Sequence, residues 1–171
     1  MLTVDPKIET TKTIHRYLLG AVAPRPIAFA STVDSDGRVN LAPFSYFNVF
    51  SADPPVLIFS PARRGRDNTT KHTYENVLEV PEVVVNMVDY NTVHACSLAS
   101  TEYDKGVNEF VKAGLTEQPS DLIKPPRVLE APVSFECKVL RVDSFGENPG
   151  AGQLVVCEIL KMHFRNDILD S

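Results

Sequence analysis

Apolar and polar positions alternate along residues 27–33. Ile27, Phe29, Ser31 and Val33 fall on one face, and Ala28, Ala30 and Thr32 on the other. A period of two with these residue types predicts a strand. Asp34-Ser35-Asp36-Gly37 comes next and predicts a hairpin turn, because Gly37 can take positive φ at its end. Residues 38–44 then form the returning strand. Residues 56–60, VLIFS, are a short apolar run behind Pro54-Pro55 and read as a buried strand. Residues 83–88 are the clearest strand, a run of valines and a methionine interrupted by Asn86. Residues 133–142 and 154–164 add two more. Helical spacing is shorter-ranged. Residues 10–19 put Ile14, Tyr17 and Leu18 on one face, with Gly20 placed to stop the helix. Residues 73–78 form a helix that Pro81 closes, and residues 92–100 and 108–113 are two further short helices, the last ended by Gly114. Residues 115–127, with Pro119, Pro125 and Pro126, read as a long surface loop, and the glycine-rich stretch 146–152 as turn.

Six or seven strands joined by hairpins and short helices predict a closed or nearly closed antiparallel barrel, since closure removes exposed edges. A doubly wound parallel sheet needs regular alternation with longer helices. The first three strands have none between them. The glycines of 146–152 lie between two strands and do not open a helix, so a dinucleotide fingerprint is missing.

The chain has 171 residues, enough for one domain with a full core, which at this size buries roughly two-thirds of the unfolded surface. Its formal net charge is −5, which argues against non-specific nucleic-acid binding. Cys96, Cys137 and Cys157 are far apart and odd in number, as expected of free thiols in a reducing compartment. The N-terminus lacks an apolar signal core, and no stretch approaches the ~18 apolar residues of a membrane span. The expectation is a soluble cytoplasmic protein with no membrane association.

Candidate chemistry concentrates in residues 40–55, NLAPFSYFNVFSADPP, a small, aromatic and hydroxyl-rich bend between two apolar strands. A basic loop with Arg63, Arg64, Arg66 and Lys71 follows it. That order suits a flat aromatic ligand carrying a phosphate, and flavin is the first to consider. Around Ala42, Pro43, Phe44 and Ser45 a ring can lie against the backbone and meet its amides. Phe47 and Phe50 read as core, and Asn48 suits either role. Lys71, Thr73 and Asn76 sit at a helix start, where free amides, the macrodipole, a hydroxyl and an ammonium make a phosphate cradle. Each arginine taken alone also fits a solvated loop. His15, His72, His94 and His163 show no metal spacing, and no metal site is expected. There is no G-x-S-x-G, so a nucleophilic triad cannot be argued. Asn86 is either a polar core residue with a backbone partner or a donor facing a pocket.

With these pieces placed, the chain resembles the flavin reductase-like FMN-binding split-barrel family. The resemblance rests on PRPIAFAST (24–32), DGRVNLAPFSYFNVFSADPPVLIFS (36–60), KHTYEN (71–76), VVVNMV (83–88) and LTEQPSDLIKPPRVLEAPVSFECKV (115–139). It implies a single domain over residues 1–171, a mainly β, six-stranded antiparallel split barrel with short helices, and a homodimer with FMN near its interface. Carried over residue by residue, the ring and ribityl contacts are Thr32, Ala42, Pro43, Phe44, Ser45 and Asn48. The phosphate side is Ser60, Lys71, Thr73 and Asn76, and Arg25 lies nearby. Two departures stand out. The family often has an Asp where this chain has His72. Members also commonly continue past the equivalent of Asp170, so a C-terminal arm is expected to be missing.

The resemblance implies an FMN-dependent oxidoreductase that takes a hydride from NADH or NADPH and passes electrons to free flavin, oxygen or another acceptor, with a flavin-dependent oxygenase as a potential partner. The flavin carries the chemistry, so no protein nucleophile or obligatory base is expected. The alternatives are an FMN-binding electron carrier or sensor not reduced by nicotinamide, the same barrel used for pyridoxamine phosphate oxidation or haem handling, and a structural or nucleic-acid-binding β-barrel, which the acidic balance disfavours.

Overall fold

A computed structural model describes residues 1–169 of the chain. The expectation about a C-terminal arm past Asp170 lies outside the described residues. In chain order the elements are α1 (Thr11–Ala21), β1 (Ala28–Val33), β2 (Val39–Phe44), β3 (Phe47–Ala52), β4 (Pro55–Phe59), α2 (His72–Glu79), β5 (Glu82–Met87), α3 (Val93–Ala99), α4 (Glu109–Ala113), β6 (Glu117–Gln118), β7 (Arg127–Val128), β8 (Val133–Ser144) and β9 (Gln153–Phe164), followed by a 3₁₀ turn at Asn166–Ile168. The fold is mainly β with a few short helices.

Seven strands form one antiparallel sheet in the order β2-β1-β5-β8-β9-β4-β3. This corrects the expected six-stranded barrel. The sheet has seven strands and does not close, because β2 and β3, its two edges, follow each other in the chain without pairing. The missed strand is β3. Residues 44–51 read as one long bend, but the turn is confined to Ser45–Tyr46, and Phe47–Ala52 pairs with β4 across a bulge between Val49 and Ser51. Of the β3 side chains only Phe47 is buried, so alternation between core and water is absent and the period-two signal with it. The loop expected at residues 115–127 likewise contains the small β6–β7 ladder.

All seven strands contribute to one apolar core. Ala28, Ala30, Phe44, Phe47, Leu57, Phe59, Val83, Val85, Cys137, Val139, Val155, Cys157 and Ile159 meet there, with Val77 of α2. The sheet therefore curls round a shared interior. A second core lies on the opposite face of β1 and β2, where Phe29 and Leu41 pack against Cys96 and Ala99 of α3 and Phe110 of α4. That explains why β1 is buried at every position. Asn86 joins the two layers: its amide donates to the Phe29 carbonyl (2.9 Å) and its oxygen accepts from the Val128 amide (3.0 Å) and Ser134 hydroxyl (2.7 Å). It is a polar core residue with backbone partners.

One predicted helix boundary shifts and another holds. α1 runs through Gly20 to Ala21, because Gly20 does not take the left-handed conformation that would end it. Gly114 does take it (φ 67°) and ends α4. The three cysteines are buried and free, and burial pushes their thiols up, Cys96 to about 11. Among the described residues no helix is long and apolar enough to cross a membrane.

Candidate functional site

A cleft of about 320 Å³ opens where the end of β2, the start of α2 and the turn after α3 converge. One wall is Asn40, Ala42, Pro43, Phe44, Ser45 and Tyr46. Pro43 sits comfortably there because β2 is an edge strand and its missing N–H costs no ladder bond. The free edge is closed elsewhere: the Leu41 amide donates to Glu109 Oε2 at 2.9 Å. Glu109 is a buried carboxyl on the cleft floor, and burial raises its pKa.

The opposite wall is cationic. Lys71 stands at the N-cap of α2 and His72 and Thr73 open its first turn, and among the described residues no side chain caps that helix end. Its leading amides therefore remain available to an anion at the positive end of the dipole. Arg64 reaches in from the basic loop, where its guanidinium donates to the Thr69 hydroxyl (3.0 Å) and the Thr70 carbonyl. Ser60 completes the corner, its hydroxyl accepting from the Gln153 amide at 3.0 Å. His72 is half-buried, and burial together with the nearby Arg64 charge lowers its pKa. Both effects favour its neutral imidazole form.

Of the residues expected from sequence, Ala42, Pro43, Phe44, Ser45, Ser60, Lys71 and Thr73 line this cleft. Three stand one layer behind it. Arg25 donates from Nε to the Ser45 hydroxyl (3.4 Å) and from Nη1 to the carbonyls of Leu19 (2.7 Å) and Val22, so it ties Ser45 to the negative end of α1. Thr32 is fully buried and accepts from Asn76 Nδ2 at 3.1 Å. Beside that bond Asn40 Nδ2 donates to the Thr73 hydroxyl at 2.9 Å. These two buried bonds pin α2 to β1 and β2 and fix where its first turn points. Asn48 lies apart, exposed on β3, with its oxygen accepting from the Val49 amide (2.8 Å).

Sequence reasoning missed His15, Tyr46 and the turn at residues 99–103, all of which line the cleft. That turn carries Glu102, and nothing in its local sequence marks it as near Lys71. A second cavity of about 510 Å³, between α1, Arg63, Gly65 and Pro149-Gly150, shares His15, Tyr46 and Ala62 with the first. The fold also brings Asp121, Glu136 and His163 within 4.8 Å of one another, a grouping the chain spacing does not suggest. Glu136 there accepts the Asp121 and Leu122 amides and His163 Nε2, and Asp121 holds Lys161 at 2.5 Å.

The chain's residues 20–171 match the model of the flavin reductase like domain. An uncharacterized protein of Aquifex aeolicus is 48% identical over 129 residues, which are 75% of this chain and 65% of that relative, so the match spans just under two thirds of the relative's length. Among solved structures, nitrilotriacetate monooxygenase component B from Bacillus cereus is 31% identical, with a TM-score of 0.93 over 100% of this chain and 85% of its own. The 2-nitrobenzoate 2-nitroreductase of Pseudomonas fluorescens is 29% identical, with a TM-score of 0.86 over 99% of this chain and 79% of its own. A cleft with a backbone-and-hydroxyl wall facing a cationic helix start, on this sheet, and a family match over nearly the whole chain agree: the protein belongs to the flavin reductase like domain family.

Proposed function

We propose that the cleft holds FMN, its ring against Ala42, Pro43, Phe44 and Ser45 and its phosphate in the corner of Ser60, Lys71 and Thr73, and that NADH or NADPH reduces it. The observation that carries this reading is the meeting of that wall with the uncapped start of α2 in one cleft. The donor set fits such a group: hydroxyls at Ser45, Ser60 and Thr73, an ammonium at Lys71 and an anchored guanidinium at Arg64. One cationic corner suits a single phosphate monoester, hence FMN before FAD. The flavin supplies the redox chemistry, accepting a hydride and passing electrons on. The chain binds, orients and shields it. Arg25 holds the Ser45 hydroxyl in place, and Thr32 and Asn76 aim α2. The adjoining cavity leaves room for a second planar group next to the first.

The same reading extends to assembly. β3 is a sheet edge whose outer side chains include Val49, 60% exposed, and Phe50, 73% exposed. An apolar edge strand of this kind is a liability for a monomer and suits pairing with a second copy. Asn48 lies on that strand, so a homodimer would bring it toward a flavin at the interface. Because the Bacillus cereus relative is component B of a monooxygenase, an oxygenase that receives the reduced flavin is the proposed partner.

Purified protein soaked in FMN and freed of excess should be yellow, and NADH or NADPH should bleach it under anaerobic conditions. Colourless protein after soaking overturns the reading; yellow protein that neither nucleotide bleaches leaves a flavin carrier instead. For assembly, Phe50→Asp should weaken self-association at least about tenfold by sedimentation. An unchanged dimer would move the interface away from β3.

A further inference from the structure

We propose that Glu102 is a built-in competitor for the ligand's phosphate: its carboxylate rests on the cations that receive the anion, and the entering phosphate displaces it. The inference rests on the reading of the cleft as a flavin site and names the residue that sets its preference for a phosphorylated over an unphosphorylated flavin.

Glu102 lies on the turn between α3 and α4 and lines the cleft beside Arg64 and Lys71. Its Oε1 is 3.4 Å from Lys71 Nζ and 3.6 Å from Arg64 Nε, and its Oε2 is 3.4 Å from Arg66 Nη2. One carboxylate thus bridges three cations that the chain supplies from residues 64–71. Arg66 also has Asp67 at 3.5 Å, whereas Arg64 is held by the Thr69 hydroxyl and Thr70 carbonyl. All three Glu102 contacts are longer than the ~2.7–2.9 Å of a tight charge-assisted bond. Glu102 is 38% exposed and Arg66 76%. Lys71 is 30% exposed and Arg64 only 11%, so the weakness of these pairs rests on their length and on the part-exposed carboxylate, and an anion with more oxygens can replace them. A phosphate monoester carries about −1.5 to −2 charges and three strong acceptors, against one charge and two oxygens on the carboxylate.

The geometry also says which side yields. Arg64 is fixed by backbone and hydroxyl partners, and Lys71 is the residue at which α2 begins. Glu102 sits in a turn with no strand pairing of its own, so it can swing aside without breaking the sheet. Arg64 keeps its place through these other partners, and the phosphate replaces one anion by another. Affinity is held below what the bare cations would give, which favours a flavin that enters and leaves.

The test is titration of wild type and Glu102→Gln with FMN and with riboflavin. The expected result is FMN binding about three- to tenfold tighter in the variant, the equivalent of a released surface ion-pair cluster, with riboflavin unchanged. Inorganic phosphate alone should also bind the variant more tightly than wild type. Weaker or equal FMN binding in the variant overturns the proposal, since Glu102 would then order the cations rather than compete. Equal tightening of both flavins overturns it too, by placing the effect at the ring. If wild type binds neither flavin, the reading of the cleft falls and takes this inference with it.

Discussion

Glu136→Ala should cost about 3 kcal/mol and lower Tm by roughly 6–12 °C. Glu136 has no exposed surface, yet it is the acceptor that organises the segment over β8. Oε1 takes the Asp121 amide at 2.8 Å and His163 Nε2 at 2.7 Å, and Oε2 takes the Leu122 amide at 2.8 Å. Burial alone would raise its pKa; the two amides and His163 outweigh burial and hold it below the usual value. Removing the carboxylate strands two amide donors and opens a void beneath residues 121–122. The segment can partly rehydrate, which keeps the cost below that of a fully enclosed charge. Because the folded pKa is depressed, the carboxylate's contribution is fully present above the unfolded value of ~4.3 and is lost as pH falls through the folded one. The gap in Tm between wild type and Glu136→Ala should therefore narrow below about pH 4. Glu136→Gln, which keeps one acceptor, should recover part of the loss. Thermal melts of the three proteins across pH decide it, and an unchanged Tm for the alanine variant would show that the clamp is not structural.

Residues such as Glu136 mark where the sequence stops being legible. Strands buried on one face or both were readable, because β1, β5, β8 and β9 place small and apolar residues at period two or in unbroken runs. The Asp34–Gly37 turn was readable because Gly37 needs its φ of 82°. β3 was not, because Val49 and Phe50 face outward where an isolated domain would carry polar groups. Glu136 was not, because its partners come from residues 121, 122 and 163, which no local period connects to it.

The site divides in the same way. Ala42, Pro43, Phe44 and Ser45 are contiguous, and Lys71 with Thr73 announces a helix start, so each half of the cleft lining could be inferred. That they share a cleft follows from the Asn40–Thr73 and Thr32–Asn76 bonds, which are long-range. Those bonds also engage Thr32 and Asn76 themselves. Their side chains are spent on each other, so they hold α2 in position and stand back from the cleft.

Lys71→Ala should raise the dissociation constant for FMN about 10- to 100-fold, the value of one hydrogen bond to a charged group. The side chain is dispensable for folding: its one described ion pair, to Glu102, is long and partly exposed, and worth little. Tm of the flavin-free protein should stay within about 2 °C of wild type, in contrast to the Glu136 variant. Riboflavin affinity should not change, since the ammonium meets only the phosphate. Raising salt should weaken FMN binding to wild type and flatten in the variant, which has already lost the screened interaction. Thr73→Val provides the opposite profile. The Thr73 hydroxyl accepts from the buried Asn40 amide at 2.9 Å, so its loss should lower both Tm and FMN affinity. The two substitutions separate a group that only grips the ligand from one that also holds the wall. If Lys71→Ala binds FMN as wild type does while melting identically, the phosphate does not lie at the start of α2, and the cationic wall serves some other anion.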